Sequence, residues 1–116
     1  MHFKLIIAFV DCDKTDKILV AAREKGATGS TVISQARGEG SQDQKTFLGL
    51  HVETPRDVLL MLVEEYNARE ILETINKVGA FDKKSHEGIA FQIDVEDAVG
   101  VMHQVDILNR TLKEEL

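Results

Sequence analysis

The stretch that decides the fold is Val58-Leu-Leu-Met-Leu-Val63, six consecutive residues without a polar side chain. Six residues is a typical strand length and is short for a buried helix. Successive side chains of a strand point to opposite faces, so both faces of this segment are apolar. Residues 58–63 are therefore predicted to form a strand that is buried on both sides.

Three further strands are predicted around this one. His2 to Val10 alternates along its length and carries apolar residues on both faces in its second half. Thr31 to Ala36 contains β-branched residues, and Ile89 to Val95 alternates cleanly between apolar and polar positions. Phe47 to Val52 also has strand-forming residues and is predicted to be one arm of a hairpin.

Two helices lie between the strands. Asp13 is predicted to cap the first helix, which stops at Gly26, a residue suited to the left-handed conformation after a helix. Asn67 and Glu70 are predicted to form a capping box for the second helix, which ends at Gly79. Their apolar positions are Ile18, Leu19 and Ala22 in the first helix, and Ala68, Ile71, Leu72, Ile75 and Val78 in the second.

The element order is therefore strand, helix, strand, strand, helix, strand. This order is typical of an α+β, ferredoxin-like βαββαβ domain, an antiparallel sheet with two helices on one face. Residues 96–116 are predicted to add a partly helical C-terminal tail, because Val105, Leu108 and Leu112 have helical spacing. Residues 1–116 are expected to form a single domain.

The composition restricts the class of protein. The chain has 116 residues, of which 43% are hydrophobic and 29% charged, which is typical of a soluble globular domain. With one cysteine, Cys12, no internal disulfide forms, and a cytoplasmic location is expected. The apolar runs are too short for a membrane span or a signal peptide. A net charge of -6 argues against nucleic acid as a partner.

The sheet is not expected to stand alone in water. A two-layer domain leaves one sheet face exposed, and each large aliphatic side chain on that face forgoes about 1.5–3 kcal/mol of burial. Association with other copies of the chain would cover the face. Alternatively, the C-terminal segment folds back over it.

Three pieces of sequence point to a known family. They are GATGSTVISQARGEG at residues 26–40, DVLLMLV at 57–63 and GIAFQIDVEDAVGV at 88–101. The first resembles the entry to the long T-loop of the PII (GlnB-like) nitrogen regulatory proteins, and the others are similar to that family's third and fourth strands. In this order and at these spacings, the pieces identify the chain as resembling a divergent PII-like protein over roughly residues 4–101.

The resemblance implies a signalling protein and not an enzyme. Members of the family form homotrimers whose sheets face a common axis. They bind adenine nucleotides such as ATP, ADP or AMP, and often 2-oxoglutarate, in clefts between subunits. Their T-loop docks onto a membrane transporter, an enzyme or a regulator. The chain is thus expected to be a cytoplasmic regulator, with a role in nitrogen metabolism.

The resemblance also implies a set of ligand-binding residues. Two segments carry them: residues 37–56, called here the T-loop-like segment, and residues 79–88, called the B-loop-like segment. Glycines in such segments let backbone amides approach a phosphate, and cations balance its charge. The residues carried over are Arg37, Gly38 and Gly40 in the first segment and Gly79, Lys83, Lys84 and Gly88 in the second.

The chain departs from the family at three cationic positions. Ile89 stands where the family has a lysine, and Asp97 and Gly100 stand where it has arginines. Because charge-assisted hydrogen bonds contribute about 1.5–3 kcal/mol each, triphosphate binding in the usual mode is expected to be severely weakened. The only tyrosine, Tyr66, lies outside the T-loop-like segment, so the family's tyrosine uridylylation does not carry over.

Phe47, Leu48 and Leu50 are apolar residues within the T-loop-like segment. Two interpretations fit them equally well. They form a strand arm against a neighbouring subunit, or they are the docking surface for a partner protein.

Other chemistry has weaker support. The four histidines and Cys12 lack the spacing of metal ligands, so no metal site is predicted. Asp11 and Asp13 flank Cys12 and disfavour a reactive thiolate. Two alternative functions remain: a PII-like module that binds a nucleoside monophosphate, an anion, a metal or no nucleotide, and an acylphosphatase-type enzyme. The enzyme would need an arginine in the turn after the first strand, where Asp11 and Asp13 instead repel phosphate.

Overall fold

The computed structural model describes residues 2–36, 46–47, 50–51, 56–82 and 88–101. Within these ranges the chain forms six strands, two α-helices and one 3-10 turn. In chain order the elements are β1 (Phe3–Asp11), the 3-10 turn (Cys12–Lys14), α1 (Thr15–Glu24), β2 (Thr31–Ala36), β3 (Thr46–Phe47), β4 (Leu50–His51), β5 (Arg56–Glu64), α2 (Glu65–Gly79) and β6 (Gly88–Asp94).

Four of the strands form one antiparallel sheet in the order β2-β5-β1-β6. The central pair, β1 and β5, stays in register over its whole length, from Phe3 opposite Glu64 to Asp11 opposite Arg56. This topology confirms the predicted α+β, ferredoxin-like class, and the strand predicted at 58–63 extends to Arg56–Glu64. Among the described residues, β3 and β4 pair with each other and form a short hairpin separate from this sheet.

One face of the sheet carries both helices and holds the core. The buried core cluster comes from β1, β5, the inner faces of α1 and α2, and the segment after α1. Its residues are Ile6, Ala8, Val10, Leu59, Met61, Val63, Ile18, Ala22, Ala68, Ile71, Ile75 and Ala27. Ala90 of β6 packs against this cluster from the sheet's edge. The apolar positions predicted for the helices therefore supply the side of the core opposite the sheet.

The other face of the sheet is apolar and open. Residues directly opposite each other in an antiparallel pair share a face. The pairing places on this open face Leu5, Ile7, Phe9, Ile33, Val58, Leu60, Leu62, Ile89, Phe91 and Ile93. The Phe9 and Phe91 rings lie 6.4 Å apart, centre to centre. At the sheet's edges Ile33 is 49% exposed and Ile93 is 45% exposed. We call this set of ten residues the open face.

The helix starts differ from the sequence prediction. Asp13 does not cap α1, because it lies inside the 3-10 turn and α1 begins at Thr15 without a side-chain cap. Nor does Asn67 cap α2, which begins at Glu65, where the Glu64 carboxylate accepts a 2.6 Å hydrogen bond from the Tyr66 amide. The capping-box prediction was therefore wrong by one turn.

The helix ends agree better. Gly26 has φ +115°, in the left-handed region, as predicted. α2 ends at Gly79, but the left-handed residue after it is Ala80, with φ 56°.

The C-terminal prediction is only partly covered. Residues 96–101 form neither helix nor strand, and the helix predicted around Val105, Leu108 and Leu112 lies outside the described residues.

Candidate functional site

Three connections leave the sheet at one end. Ala36, which ends β2, and Asp11, which ends β1, both lie opposite Arg56, the first residue of β5. Gly88, the first residue of β6, lies opposite Val10. The bases of the T-loop-like and B-loop-like segments are therefore side by side, next to the turn that follows β1.

A partly buried ion pair lies at this end. The Arg56 guanidinium Nη1 is 2.9 Å from Asp11 Oδ1, and the two side chains are 7% and 26% exposed. Breaking a buried pair by removing one partner is costly, because it leaves an uncompensated charge away from water. The pair therefore fastens the start of β5 to the end of β1, and Asp11 is not a free carboxylate that repels anions.

Asp57, next to Arg56, is also buried and anchors the same region. Its carboxylate accepts a 2.6 Å hydrogen bond from the Thr15 hydroxyl and a 3.3 Å hydrogen bond from the Cys12 thiol. Thr15 and Asp57 are only 6% and 7% exposed. The carboxylate thus joins the start of β5 to the start of α1.

Phe81 packs against both glycines of the B-loop-like segment. A Cβ at Gly79 would lie 2.4 Å from the Phe81 ring, and one at Gly88 would lie 2.3 Å from it. Real Cβ atoms do not approach this closely, so both positions need a residue without a side chain to hold the ring where it is. Close packing around Phe81 is therefore a reason for the two glycines that does not depend on a ligand.

Lys14 connects the turn after β1 to α2. Its ammonium donates a 2.8 Å hydrogen bond to the Gly79 carbonyl, in the last residue of α2. A cation at a helix C-terminus satisfies an orphan carbonyl and is favoured by the helix dipole.

A shallow cleft of about 290 Å³ lies between α2 and the edge strand β6. Its polar side chains are already paired: Arg69 Nε lies 2.9 Å from Glu73, and Asn76 Nδ2 lies 2.6 Å from Asp82. Its apolar lining includes Leu72, Phe81 and Ala90.

The predicted ligand residues are only partly within the described chain. Gly79 and Gly88 lie there and are brought together across the Phe81 ring. The others, Arg37, Gly38, Gly40, Lys83 and Lys84, lie outside the described residues. Of the predicted docking residues, Phe47 and Leu50 pair in the β3–β4 hairpin, while Leu48 lies outside the described residues.

Two of the three positions at which the chain lacks a cation of the family lie away from the Arg56 end of the sheet. Asp97 and Gly100 follow β6, beyond Asp94, at the sheet end opposite Arg56. Neither can reach the Arg56 end of its own chain.

Sequence reasoning missed the residues that organise this end of the sheet: Lys14, Thr15, Arg56 and Asp57. The available signal was the pair Arg56-Asp57, two charges between the only proline and the all-apolar run. Charged residues at the start of a strand are usually exposed to solvent. The strand register shows that Asp11 approaches Arg56, and the hydrogen bond from Thr15 shows that α1 approaches Asp57.

At the far end of the sheet, Asp94 Oδ1 lies 2.5 Å from His2 Nε2 and 3.2 Å from Lys4 Nζ. Hydrogen bonds from His2 and then Lys4 hold the pKa of the Asp94 carboxyl below its ordinary value. Over the ranges described, no three His, Cys, Asp or Glu side chains form a group able to hold a metal ion. Neither α1 nor α2 has the length and apolar content needed to cross a bilayer.

Comparison with solved structures finds the same fold in PII-like proteins. A PII-like signalling protein from Thermus thermophilus is 24% identical with a TM-score of 0.60, covering 82% of this chain and 87% of its own. CPII from Thiomonas intermedia, solved with ADP, AMP and acetate, is 16% identical with a TM-score of 0.64, covering 86% and 92%.

Sequence comparison gives the family. A search of curated proteins found no match to this chain. The sequence model described as "Nitrogen regulatory protein P-II" matches residues 3–104, nearly the whole of the chain. The four-stranded sheet and the sequence match agree, and the chain belongs to the nitrogen regulatory protein P-II family.

Proposed function

We propose that this protein is a trimeric, cytoplasmic PII-like regulator that binds an adenine nucleotide in clefts between subunits and controls a partner protein through its T-loop-like segment. Family membership makes it a signalling protein rather than an enzyme. One observation supports the proposal most directly: the residues that bound the T-loop-like and B-loop-like segments lie at the same end of the sheet, near the buried Arg56.

The open face supports the trimer. Ten apolar residues of one sheet face have no described element over them, and burying each large side chain contributes about 1.5–3 kcal/mol. A patch of this kind marks an interaction site. Packing the open faces of three copies around a common axis would cover this face, and the proposed clefts between subunits require that Asp97 of one copy lie near the Arg56 end of the next.

The charges of the chain favour a nucleotide with few phosphates. Ile89, Asp97 and Gly100 replace three cations of the family, so a triphosphate would lack counter-charges and meet a carboxylate. AMP and ADP carry less charge to balance. The similar fold of CPII with ADP and AMP bound is consistent with this choice. The proposed effector is therefore AMP or ADP in preference to ATP.

Calorimetry with AMP, ADP, ATP and 2-oxoglutarate tests this proposal. We expect AMP or ADP to bind at least about tenfold more tightly than ATP, a difference of roughly 1.4 kcal/mol. The substitution Asp97→Arg restores one cation of the family and should strengthen ATP binding, whereas Lys17→Met on α1 should change nothing. Equal affinity for all three nucleotides in the wild type would refute the charge argument.

The partner is proposed to be a membrane transporter or an enzyme of nitrogen metabolism that binds the T-loop-like segment. Phe47, Leu48 and Leu50 would supply its apolar contact. The short strands that hold Phe47 and Leu50 pair with each other, apart from the main sheet. Deleting residues 41–46 should abolish capture of the partner without changing nucleotide affinity. Undiminished capture by the deletion variant would place the docking surface elsewhere.

A further inference from the structure

The turn after β1 touches the bases of both predicted ligand segments. Lys14 Nζ donates to the Gly79 carbonyl at 2.8 Å, and Gly79 begins the B-loop-like segment. The next residue, Thr15, donates its hydroxyl hydrogen to Asp57 Oδ2 at 2.6 Å, and Asp57 directly follows the T-loop-like segment. Two consecutive residues are thus bonded to two bases that are distant from them in the sequence.

Each of these two bonds has local support. At the T-loop-like base, Cys12 donates to Asp57 at 3.3 Å and Asp11 pairs with Arg56 at 2.9 Å. Because Arg56 and Asp57 are 6% and 7% exposed, water is poorly placed to replace these partners.

At the B-loop-like base, the Phe81 ring is held between Gly79 and Gly88. Gly88 is in turn paired with Val10 of β1. A displacement of Gly79 therefore disturbs the packing against Phe81 or the hydrogen bond from Lys14. A displacement of Asp57 likewise disturbs its hydrogen bonds from Thr15 and Cys12.

We propose that Lys14 and Thr15 are positioning residues that couple the two bases, so that a ligand held by the B-loop-like segment changes the T-loop-like base through the turn at residues 11–15. This inference rests on the proposed function, because it describes how that function's site reports occupancy. Coupling of this kind is a measurable free energy between two sites, and double-mutant comparison is its direct test.

Amide hydrogen exchange without any ligand gives the first arm of the test. The probes are amides at the two bases, residues 78–81 and 57–59, with amides in the middle of β1 as a reference for global opening. Lys14→Met removes the bond to the Gly79 carbonyl, and Thr15→Val removes the bond to the Asp57 carboxylate. Lys17→Met, an exposed lysine of α1, is the control, and Lys14→Arg and Thr15→Ser retain a donor.

Under the proposal, either substitution raises exchange about fivefold or more at both bases, relative to the β1 reference. The double variant then shows little further increase in exchange rate at either base beyond that of the single variants. Lys14→Arg and Thr15→Ser should show exchange rates close to those of the wild type. If Lys14→Met affects only residues 78–81 and Thr15→Val only residues 57–59, the two bonds are independent structural contacts and the coupling is refuted.

The second arm adds ADP as the probe ligand. ADP should protect both bases in the wild type, whereas in Lys14→Met it should protect residues 78–81 and no longer residues 57–59. Protection of both bases in that variant would overturn the proposal. Should the wild type bind no nucleotide, the proposed effector is wrong, while the first arm still decides the coupling.

Discussion

At the scale of single residues, two glycines show how much depends on one aromatic ring. Gly79 and Gly88 were assigned to phosphate contact by resemblance, and that role stays a prediction. In the folded chain both lie against Phe81, at distances that exclude a Cβ. The ring thereby joins the end of α2 to the start of β6.

We expect Gly88→Ala to destabilise the protein by about 1–3 kcal/mol, because the new methyl group overlaps the Phe81 ring and forces it to move. Urea unfolding measures the loss. In a Phe81→Ala background the same change should cost much less, since the overlapping atoms are gone. An equal cost in both backgrounds would mean that the ring is not what constrains Gly88.

Asp94 makes stability depend on acid pH. Bonds from His2 and Lys4 lower the pKa of this carboxyl below its usual value near 3.8. A carboxyl whose pKa is depressed on folding stabilises the protein above its unfolded pKa, and the contribution is lost as pH falls through the folded pKa. Stability should therefore fall more steeply below about pH 4 in the wild type than in Asp94→Asn.

Denaturant unfolding from pH 7 to pH 2 measures this dependence. The curves for wild type and Asp94→Asn should converge at the acid end, where the wild-type carboxyl is protonated. Asp16→Asn, at an exposed carboxyl of α1, is the control and should follow the wild type. A constant separation at every pH would assign the effect of Asp94 to packing.

At the scale of elements, the start of α2 differs from the one that the local sequence pattern predicted. The sequence offered Asn67 with Glu70, but β5 runs on to Glu64 and the helix begins at once with Glu65. Glu64 then caps the helix through the Tyr66 amide. A capping-box pattern states which residues suit a cap, whereas strand pairing with β1 decides where the helix begins.

Glu64→Ala should cost about 0.5–2 kcal/mol of unfolding free energy, because the Tyr66 amide loses its acceptor. Asn67→Ala should change stability by less, since Asn67 lies within the helix and alanine is the better helix former. Thermal and denaturant unfolding compare the two variants. The reverse ranking would support the cap originally predicted at Asn67.

At the scale of the whole molecule, the open face decides whether the chain works alone. Its ten side chains come from four strands, and Leu60 lies near the centre, opposite Ile7 on one side and Thr31 on the other. Such a face is compatible with a single-chain fold because the core lies on the other side of the sheet.

Leu60→Lys should convert the proposed trimer to single chains of about 12.9 kDa, as measured by sedimentation, with the circular dichroism of the fold retained. Ile93→Lys, at the edge of the same face, should weaken association less. Val20→Lys is a control at an exposed α1 position and should leave the assembly intact. A wild-type particle of single-chain mass would remove the basis for the trimer.

The sequence alone was sufficient for the βαββαβ order, the doubly apolar strand at 58–63 and the ends of both helices. These follow from side-chain periodicity and backbone preference, which act over a few residues. Only the tertiary structure decided which residues meet at the Arg56 end: strand pairing brings Asp11 to Arg56, and the approach of the turn after β1 to the end of α2 brings Lys14 to Gly79. Those contacts join residues more than forty positions apart, and no local pattern encodes their proximity.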